Sequence, residues 1–254
     1  MNILMIGDVI SKVGCDYVRE KLPNLKKELN IDVVIANGEN SAIGNGILPN
    51  SADSLFDSGI DVITTGNHVF KRFEIYQYFD QNQALIRPLN YPESSPGKGF
   101  YIYDGGNFQL CVVNLMGTSF LEPLDCPFKT MNKLLKEIDC KNIIVDFHAE
   151  ATGEKKALAY YLAGKVSAVV GTHTHTQTAD EQILENQTAF ISDVGMTGPI
   201  RSVLGVAPEN IIKKLTTHMP VRFEIPNSQC QMDCVLIEID KNTGKANSIK
   251  RMRI

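Results

Sequence analysis

A recurring unit limits the possible folds of this chain more than any other pattern in it. A short apolar, β-branched run stops abruptly at a polar cluster, and a helix-like stretch usually follows. Runs this short and this uniformly apolar are typical of strands buried on both faces. Strands that alternate with helices predict an α/β fold with a largely parallel sheet. The runs are Ile3–Ile6, Val33–Ala36, Val62–Thr65, Ile143–Val145, Ala168–Val170 and Ala189–Ile191.

Helix-like segments lie between these runs. They are Asp16–Leu29, a segment from Asn50 to before Gly59, Phe73–Asp80, Phe128–Ile138, Glu154–Ala163 and Glu209–Thr217. We expect Pro23 to bend or split the first helix, because proline removes an intrahelical hydrogen bond. Phe100–Tyr103 and Gln109–Val113 flank a glycine-rich turn, which predicts a β-hairpin. Antiparallel strands should therefore join the sheet system, as should Cys234–Ile239 near the end of the chain.

The length suits one large domain or two small ones, and the composition is typical of an ordinary globular protein. The chain has 254 residues, of which 43% are hydrophobic and 21% charged, and we predict a single domain over residues 1–254. Arg87–Lys98 contains three prolines and is interpreted as a long loop rather than a domain linker. The formal net charge is −4 and no long run of lysine or arginine occurs. This charge distribution argues against a protein that binds long nucleic acid through a basic surface, but it does not argue against binding of a small anionic substrate.

The sequence also favours a cytoplasmic location. The first apolar run is broken at Asp8, too early for the apolar region of a signal peptide. No run of about 18 apolar residues occurs, so we expect no membrane span. The six cysteines form no CxxC pair and are expected to be reduced thiols. They are Cys15, Cys111, Cys126, Cys140, Cys230 and Cys234.

The polar clusters after the strands are the candidate functional site. In an open α/β sheet, ligands bind at the carboxyl ends of the strands, so clusters on neighbouring strands should meet at one edge. The side chains concerned are Asp8, Glu39, Asn40, Asn67, His68, His148, His173 and His175. Four of the five histidines of the chain belong to this set, which predicts a site with imidazole chemistry.

The donor types in this set favour transition metals. Imidazole and carboxylate together suit zinc, iron or manganese, whereas calcium and magnesium sites rarely use imidazole. The donors are too many for one ion, and two ions about 3.5–4 Å apart, bridged by a carboxylate, would use them naturally. Singly, Asp8 could cap a turn and Glu39 could be a solvated loop residue. His173 and His175 are harder to explain without a metal, since alternate residues of an extended segment can reach one site.

At these residues the sequence resembles the calcineurin-like metallophosphoesterases, and within them the YmdB-like branch. The resemblance covers nearly the whole chain, with the motifs in the family's order. They are Gly7-Asp8, Asn37-Gly38-Glu39-Asn40-Ser41, Thr65-Gly66-Asn67-His68, Asp146-Phe147-His148-Ala149-Glu150, Gly171-Thr172-His173-Thr174-His175 and Asp193-Val194-Gly195-Met196-Thr197-Gly198-Pro199. Two positions depart from the broad superfamily pattern and agree with the branch: Ile10 replaces a histidine, and Glu39 replaces the bridging aspartate.

The resemblance implies a four-layer α/β/β/α sandwich with mixed sheets and a dinuclear metal centre. One metal ion would take Asp8, Glu39, Asn40 and His175. The second would share Glu39 and take Asn67, His148 and His173. His68 would stay off the metals and face the substrate as the catalytic residue. The branch is associated with iron or manganese, with zinc also compatible, and with hydrolysis of cyclic nucleotides, notably 2′,3′-cyclic ones.

This chemistry suggests a mechanism. We expect a hydroxide held between the two ions to attack phosphorus in line with the leaving oxygen. His68 would protonate that oxygen as general acid, a role typically contributing about 10²–10⁴ in rate. Glu150 and Asp180 are candidates to orient histidines from outside the ligand set. The Gly195–Gly198 segment is expected to be a flexible loop, either a wall of the substrate pocket or a simple turn.

Two other functions fit the same residues. The first is a phosphomonoesterase acting on a nucleotide, a sugar phosphate or a phosphoprotein, whose site would differ only in the pocket walls. The second is a regulatory protein that binds a nucleotide or metal and turns over little. His68 argues against the second, because a pure binding module would not need it. The expected partner is a small phosphate ester, and self-association into a homo-oligomer is a further possibility.

Overall fold

Two mixed β-sheets and six helices form the fold, and the computed structural model describes all residues 1–254. The first sheet contains β1 (Asn2–Ile6), β2 (Asp8–Val9), β3 (Val33–Asn37), β4 (Val62–Thr64), β11 (Met196–Pro199), β12 (Cys230–Ile239) and β13 (Ala246–Arg253). The second contains β5 (Phe100–Asp104), β6 (Gln109–Met116), β7 (Ile143–His148), β8 (Ala168–Thr172), β9 (Gln182–Leu184) and β10 (Thr188–Ile191). The helices are α1 (Ser11–Glu28), α2 (Pro49–Asp57), α3 (Ile75–Gln81), α4 (Pro127–Glu137), α5 (Thr152–Leu162) and α6 (Pro208–Thr217).

Parallel strands form the centre of each sheet. In the first sheet, β1, β3 and β4 are parallel neighbours, and β12 lies antiparallel to β1, to β13 and to β11. In the second sheet, β6, β7, β8 and β10 are parallel, with β5 and β9 antiparallel at the edges. The carboxyl ends of the parallel strands in each sheet therefore lie along one edge. The predicted hairpin is formed by β5 and β6.

The two sheets pack face to face between two helical layers. Strand alternation explains why both faces are apolar: Ile3 and Met5 of β1 point into a core shared with the second sheet, whereas Leu4 and Ile6 point toward α1, α2 and α3. A third cluster, which includes Leu158, joins α4 and α5 to the outer face of the second sheet. The four-layer α/β/β/α arrangement is thereby confirmed.

Two expectations about local structure were wrong: a split of the first helix at Pro23, and a flexible loop at Gly195–Gly198. Helix α1 runs unbroken through Pro23, because this proline is exposed while Leu22 and Leu25 on the other face are buried. The bond that proline removes therefore lies toward solvent, where water can satisfy the free carbonyl. The Gly195–Gly198 segment is no flexible loop, since Met196–Pro199 forms the buried strand β11 between β2 and β12. None of the six helices has the length and apolarity needed to cross a membrane.

Candidate metal centre

The structure brings all eight predicted side chains to the place where the carboxyl edges of the two sheets meet. The segments that follow β1, β3 and β4 of the first sheet carry five of them: Asp8, Glu39, Asn40, Asn67 and His68. Strand β7 of the second sheet ends at His148, and the segment after β8 carries His173 and His175. The site is therefore assembled from both sheets.

One group of donor atoms surrounds Asp8. Its Oδ1 lies 3.5 Å from His175 Nε2 and 3.4 Å from Asn40 Nδ2. Asn40 Nδ2 also lies 3.1 Å from Glu39 Oε1 and 3.3 Å from His175 Nε2. The amide nitrogen of Asn40 thus occupies a position on which two carboxylates and an imidazole converge. Since an amide binds metals through oxygen, a ligand role for Asn40 requires its side chain to present Oδ1 instead.

A second group surrounds His148. Its Nε2 lies 3.0 Å from Asn67 Oδ1, 3.0 Å from His173 Nδ1 and 3.3 Å from Glu39 Oε1. Candidate ligand atoms of Glu39, His148 and His173 all fall within 4.8 Å of one another. Glu39 Oε1 is therefore common to both groups, which is the arrangement that a carboxylate bridging two ions requires.

The cluster is strongly polarised. Burial opposes charge on the two carboxylates, yet neighbouring histidines hold the pKa of Glu39 well below its usual value and also lower the pKa of Asp8. Burial likewise opposes charge on His148, but Glu39 and Asp8 raise its pKa to about 9. Burial and the nearby charge of His148 lower the pKa of His173. The buried negative charges of Glu39 and Asp8 stabilise the protonated form of His148. The same charges also favour a bound metal cation.

Backbone strain positions the last two histidines. His173 and His175 adopt left-handed φ angles of 107° and 60°, which are unfavourable for non-glycine residues. The segment between them is anchored by Asp193, whose carboxylate accepts a hydrogen bond from the backbone amide of Thr174 at 3.0 Å. Lys155 donates to the same carboxylate at 2.8 Å, and both side chains of this ion pair are buried. This pair holds the strained segment against the second sheet.

A chain of hydrogen bonds behind His148 was not assigned a role from the sequence. His148 Nδ1 lies 2.9 Å from Thr172 Oγ1, which in turn donates to Asp146 Oδ1 at 2.7 Å. Burial raises the pKa of Asp146 to about 6. Such partners fix the ring orientation and tautomer of a ligand histidine. Strand alternation could have identified Asp146, because residues two apart on β7 face the same side.

Close packing around His148 requires a glycine. A β-carbon on Gly66 would lie 2.2 Å from His148 Cδ2, closer than nonbonded atoms can approach. Gly66 therefore leaves the space that the imidazole ring occupies, directly before Asn67 and His68 in the chain. Any larger residue here would displace the ring.

The two residues expected to orient histidines behave differently. Glu150 Oε2 lies 2.9 Å from His173 Nε2, on the opposite side of the ring from the donor cluster. Asp180 contacts no histidine; it accepts hydrogen bonds from Thr178 and Ser192 instead. The expectation for Asp180 was therefore wrong, because the turn after Thr178 directs its carboxylate toward β10.

Glu150→Gln should weaken metal binding by about 10-fold, the lower end of the range for partners behind a ligand. The carboxylate orients the ring of His173 and increases its basicity, but its side chain is half exposed and therefore screened. Metal affinity is measured against a competing chelator. Glu185→Gln is the matched control, since Glu185 is exposed in the short 3₁₀ turn between β9 and β10. Equal affinities for the two variants would rule out the role of Glu150.

Comparison with known proteins gives consistent matches over the full length of the chain. A family model described as YmdB-like protein matches residues 4–252. A Bacillus subtilis (strain 168) protein named 2′,3′-cyclic-nucleotide 2′-phosphodiesterase is 46% identical, covering 100% of this chain and 97% of the relative.

Two solved structures are also similar. A Thermus thermophilus protein described as hypothetical has a TM-score of 0.95 and 37% identity, with 100% of this chain and 99% of the other covered. A protein described as a novel phosphatase, from Mycoplasma pneumoniae, has a TM-score of 0.94 and 34% identity, with 100% and 93% covered. The similarity therefore extends to the whole fold and is not confined to the motifs.

Proposed function

This chain belongs to the YmdB-like family of calcineurin-like metallophosphoesterases, and on that premise we propose that it hydrolyses a small phosphodiester, a 2′,3′-cyclic nucleotide, at a centre of two metal ions. As a member of this family it is a metal-dependent phosphoric ester hydrolase. The number of ions, the substrate and the role of each residue are our proposal. The observation that carries it is the position of Glu39 Oε1 between two groups of donor atoms.

The donor set fits two transition-metal ions. The first ion would be held by Asp8, Glu39, Asn40 and His175. The second would be held by Glu39, Asn67, His148 and His173. Three imidazoles among the donors favour iron or manganese, with zinc also compatible, over calcium or magnesium. When bound, the ions would lower the pKa of a bound water to about 7 and neutralise charge on the phosphoryl oxygens.

The neutral ligands matter for substrate binding. Only Asp8 and Glu39 carry negative charge among the proposed ligands, while asparagine and neutral histidine carry none. Two divalent ions would therefore leave a net positive charge at the site. Such a field attracts a phosphate even though the whole protein has a formal net charge of −4.

The contacts of His68 support a role in proton transfer. Its Nδ1 lies 3.1 Å from Glu39 Oε1 and 3.0 Å from Asn40 Oδ1, and its backbone amide donates to Glu39 Oε2 at 2.8 Å. These contacts hold Nδ1 against the carboxylate, whereas Nε2 makes no hydrogen bond within the chain and is free to donate to a ligand. The side chain is 27% exposed, so it can reach a bound ligand. We assign His68 as the general acid that protonates the leaving ribose oxygen.

The choice of substrate is supported by the relatives. The Bacillus subtilis protein, similar over its whole length, is named for 2′,3′-cyclic nucleotides. In such a substrate the leaving oxygen belongs to a ribose hydroxyl, which is a poor leaving group. A proton donor such as His68 is therefore useful for this reaction.

Metal analysis paired with turnover of 2′,3′-cyclic AMP tests the proposal. We expect close to two transition-metal ions per chain, loss of activity on chelation, and recovery when manganese or iron is added. Removal of the ions should also lower the melting temperature, because a ligand that binds only the folded state stabilises it. Protein that neither contains metal nor takes it up would refute the proposed centre.

A phosphomonoesterase is the second candidate, and the similarity to the Mycoplasma pneumoniae protein described as a phosphatase favours considering it. Its metal centre would be the same, so metal content does not separate the two. Hydrolysis rates for a monoester and a diester of the same chromophore do. Faster cleavage of the diester supports the phosphodiesterase, and faster cleavage of the monoester supports the alternative.

A further inference from the structure

A buried arginine without a counter-ion lies outside the metal centre. The residue is Arg87, directly after the segment that bridges to β4, and only 5% of it is exposed. Its Nη1 donates to the backbone carbonyls of Pro88 at 2.8 Å and Leu89 at 3.5 Å. Its Nε is buried and has no hydrogen-bond partner. No carboxylate of the chain forms an ion pair with it, in contrast to the buried lysine, Lys155.

A buried position without a neighbouring carboxylate is unusual for the guanidinium group of an arginine. Burial lowers the pKa of Arg87, and Tyr91 rather than a carboxylate supplies the only opposing influence. A guanidinium nevertheless stays protonated in proteins. Buried charges are normally paired, because an unpaired one retains the full penalty of desolvation. The missing partner at this position is therefore an anion that the chain itself does not provide.

A cavity is available for that anion. Arg87 lies at a cavity with a volume of about 550 Å³, bounded by the loop after Arg87, the start of β5 and helix α4. Lys129 and Lys133 of α4 line it, and Leu89 and Phe100 contribute apolar surface. None of the eight residues of the metal centre belongs to this lining.

The acidic residues around the cavity do not replace the missing partner. Glu93, Asp125 and Glu137 line it but are exposed at the surface. Glu93 pairs with Lys133 at 3.1 Å, and its side chain is 93% exposed. Charges at the surface are screened by solvent, whereas the charge of buried Arg87 is not. The positive charge of Arg87 therefore remains uncompensated within the cavity.

We propose that this cavity is a second anion site, which binds the phosphate group of a small molecule against Arg87 and Lys129. The terminal nitrogen Nη2 of Arg87 makes no hydrogen bond within the chain, and guanidinium N–H groups are well suited to donate to phosphate oxygens. Lys129 has no ion-pair partner in the structure and supplies a second positive charge at the rim. The apolar surface of Leu89 and Phe100 offers contact for an organic part such as a nucleoside.

The site adjoins the candidate active site through one aromatic contact. Tyr91, which lines the cavity, packs edge-on against Phe70 with ring centroids 5.3 Å apart. Phe70 lies two residues after His68 in the chain. A ligand in the cavity would therefore touch a side chain that supports the segment carrying the proposed general acid.

The test is calorimetric titration of the metal-loaded protein with inorganic phosphate at constant ionic strength. We expect two phosphate sites per chain, one at the metal centre and one at Arg87. Arg87→Gln should remove the second, and Lys129→Ala should weaken it by about 10-fold or more. Lys136→Ala is the matched control, because Lys136 is an exposed lysine of α4 that does not line the cavity. It should bind phosphate like the wild type.

Two further measurements keep the proposal falsifiable. If Arg87→Gln fails to fold, Lys129→Glu reverses the charge at the exposed rim and should remove the second site. Repeating the titration with 5′-AMP identifies the source of the phosphate: tighter binding than inorganic phosphate indicates an organic phosphate, and equal binding indicates free phosphate. Absence of any phosphate site that Arg87→Gln or Lys129→Glu weakens would overturn the proposal. Turnover of 2′,3′-cyclic AMP in the same samples reports separately on the catalytic function.

Discussion

Glu39→Gln should lower turnover of 2′,3′-cyclic AMP by about 10³-fold or more and reduce the bound metal to one ion per chain or fewer. Glu39 is the only residue whose carboxylate contacts both donor groups, through His148 on one side and Asn40 on the other. Glutamine preserves the size of the side chain but removes the negative charge and one acceptor oxygen. A bridging position cannot be filled by a neutral amide with comparable strength.

The measurement combines metal analysis with steady-state turnover. Glu39 also accepts a hydrogen bond from the backbone amide of His68, so circular dichroism should accompany it to show that the fold persists. Glu185→Gln, the same chemical change at an exposed position, should leave metal content and turnover at wild-type values. Two ions per chain together with wild-type turnover in Glu39→Gln would show that this carboxylate does not bridge.

His68→Ala should slow the same reaction by about 10²–10⁴ while leaving two ions bound. The side chain of His68 contacts the ligand set only through Nδ1, toward Glu39 and Asn40, and its backbone contact to Glu39 survives the substitution, so the proposed ligands remain. The loss should depend on the leaving group. A diester with a nitrophenol leaving group needs little protonation, so the variant should lose less than about 10-fold on that substrate.

The comparison of the two substrates separates a proton donor from a structural residue. A purely structural defect would slow both substrates alike. His218→Ala is the matched control, because His218 is the one histidine outside the site and lies exposed at the end of α6. Loss of metal from His68→Ala, with equal losses on both substrates, would assign His68 to metal binding instead.

The strands of the core were predictable because a strand that is buried on both faces consists of a short, continuous run of apolar residues. Each of the six apolar runs corresponds to a strand of the parallel parts of the two sheets, β1, β3, β4, β7, β8 and β10. The hairpin of β5 and β6 was predictable from its glycine-rich turn. Local features that depend on neighbouring elements were not predictable. Helix α1 continues through Pro23 because the lost hydrogen bond lies on the exposed side of the helix. Gly198 lies in a strand because β12 pairs with it.

The candidate ligands could be identified by residue type and by their position after strands. Their supporting partners could not all be found in this way. Lys155 lies near the start of α5, where a lysine is ordinarily exposed, yet it is buried and paired with Asp193. Arg87 lies in a proline-containing loop whose sequence does not reveal that its guanidinium is enclosed. Both depend on contacts between segments far apart in the chain.

The sequence by itself determined the alternation of strands and helices and the residue types at the strand ends, because both follow from local patterns of apolar and polar residues. The family resemblance already implied two sheets, but only the tertiary structure decided which strands each one contains, with β1, β3 and β4 in one and β7 and β8 in the other. The division matters physically, since it sets Glu39 of the first sheet 3.3 Å from His148 of the second. A distance between residues so far apart in the chain results from the packing of the two sheets against each other, and no local pattern encodes it.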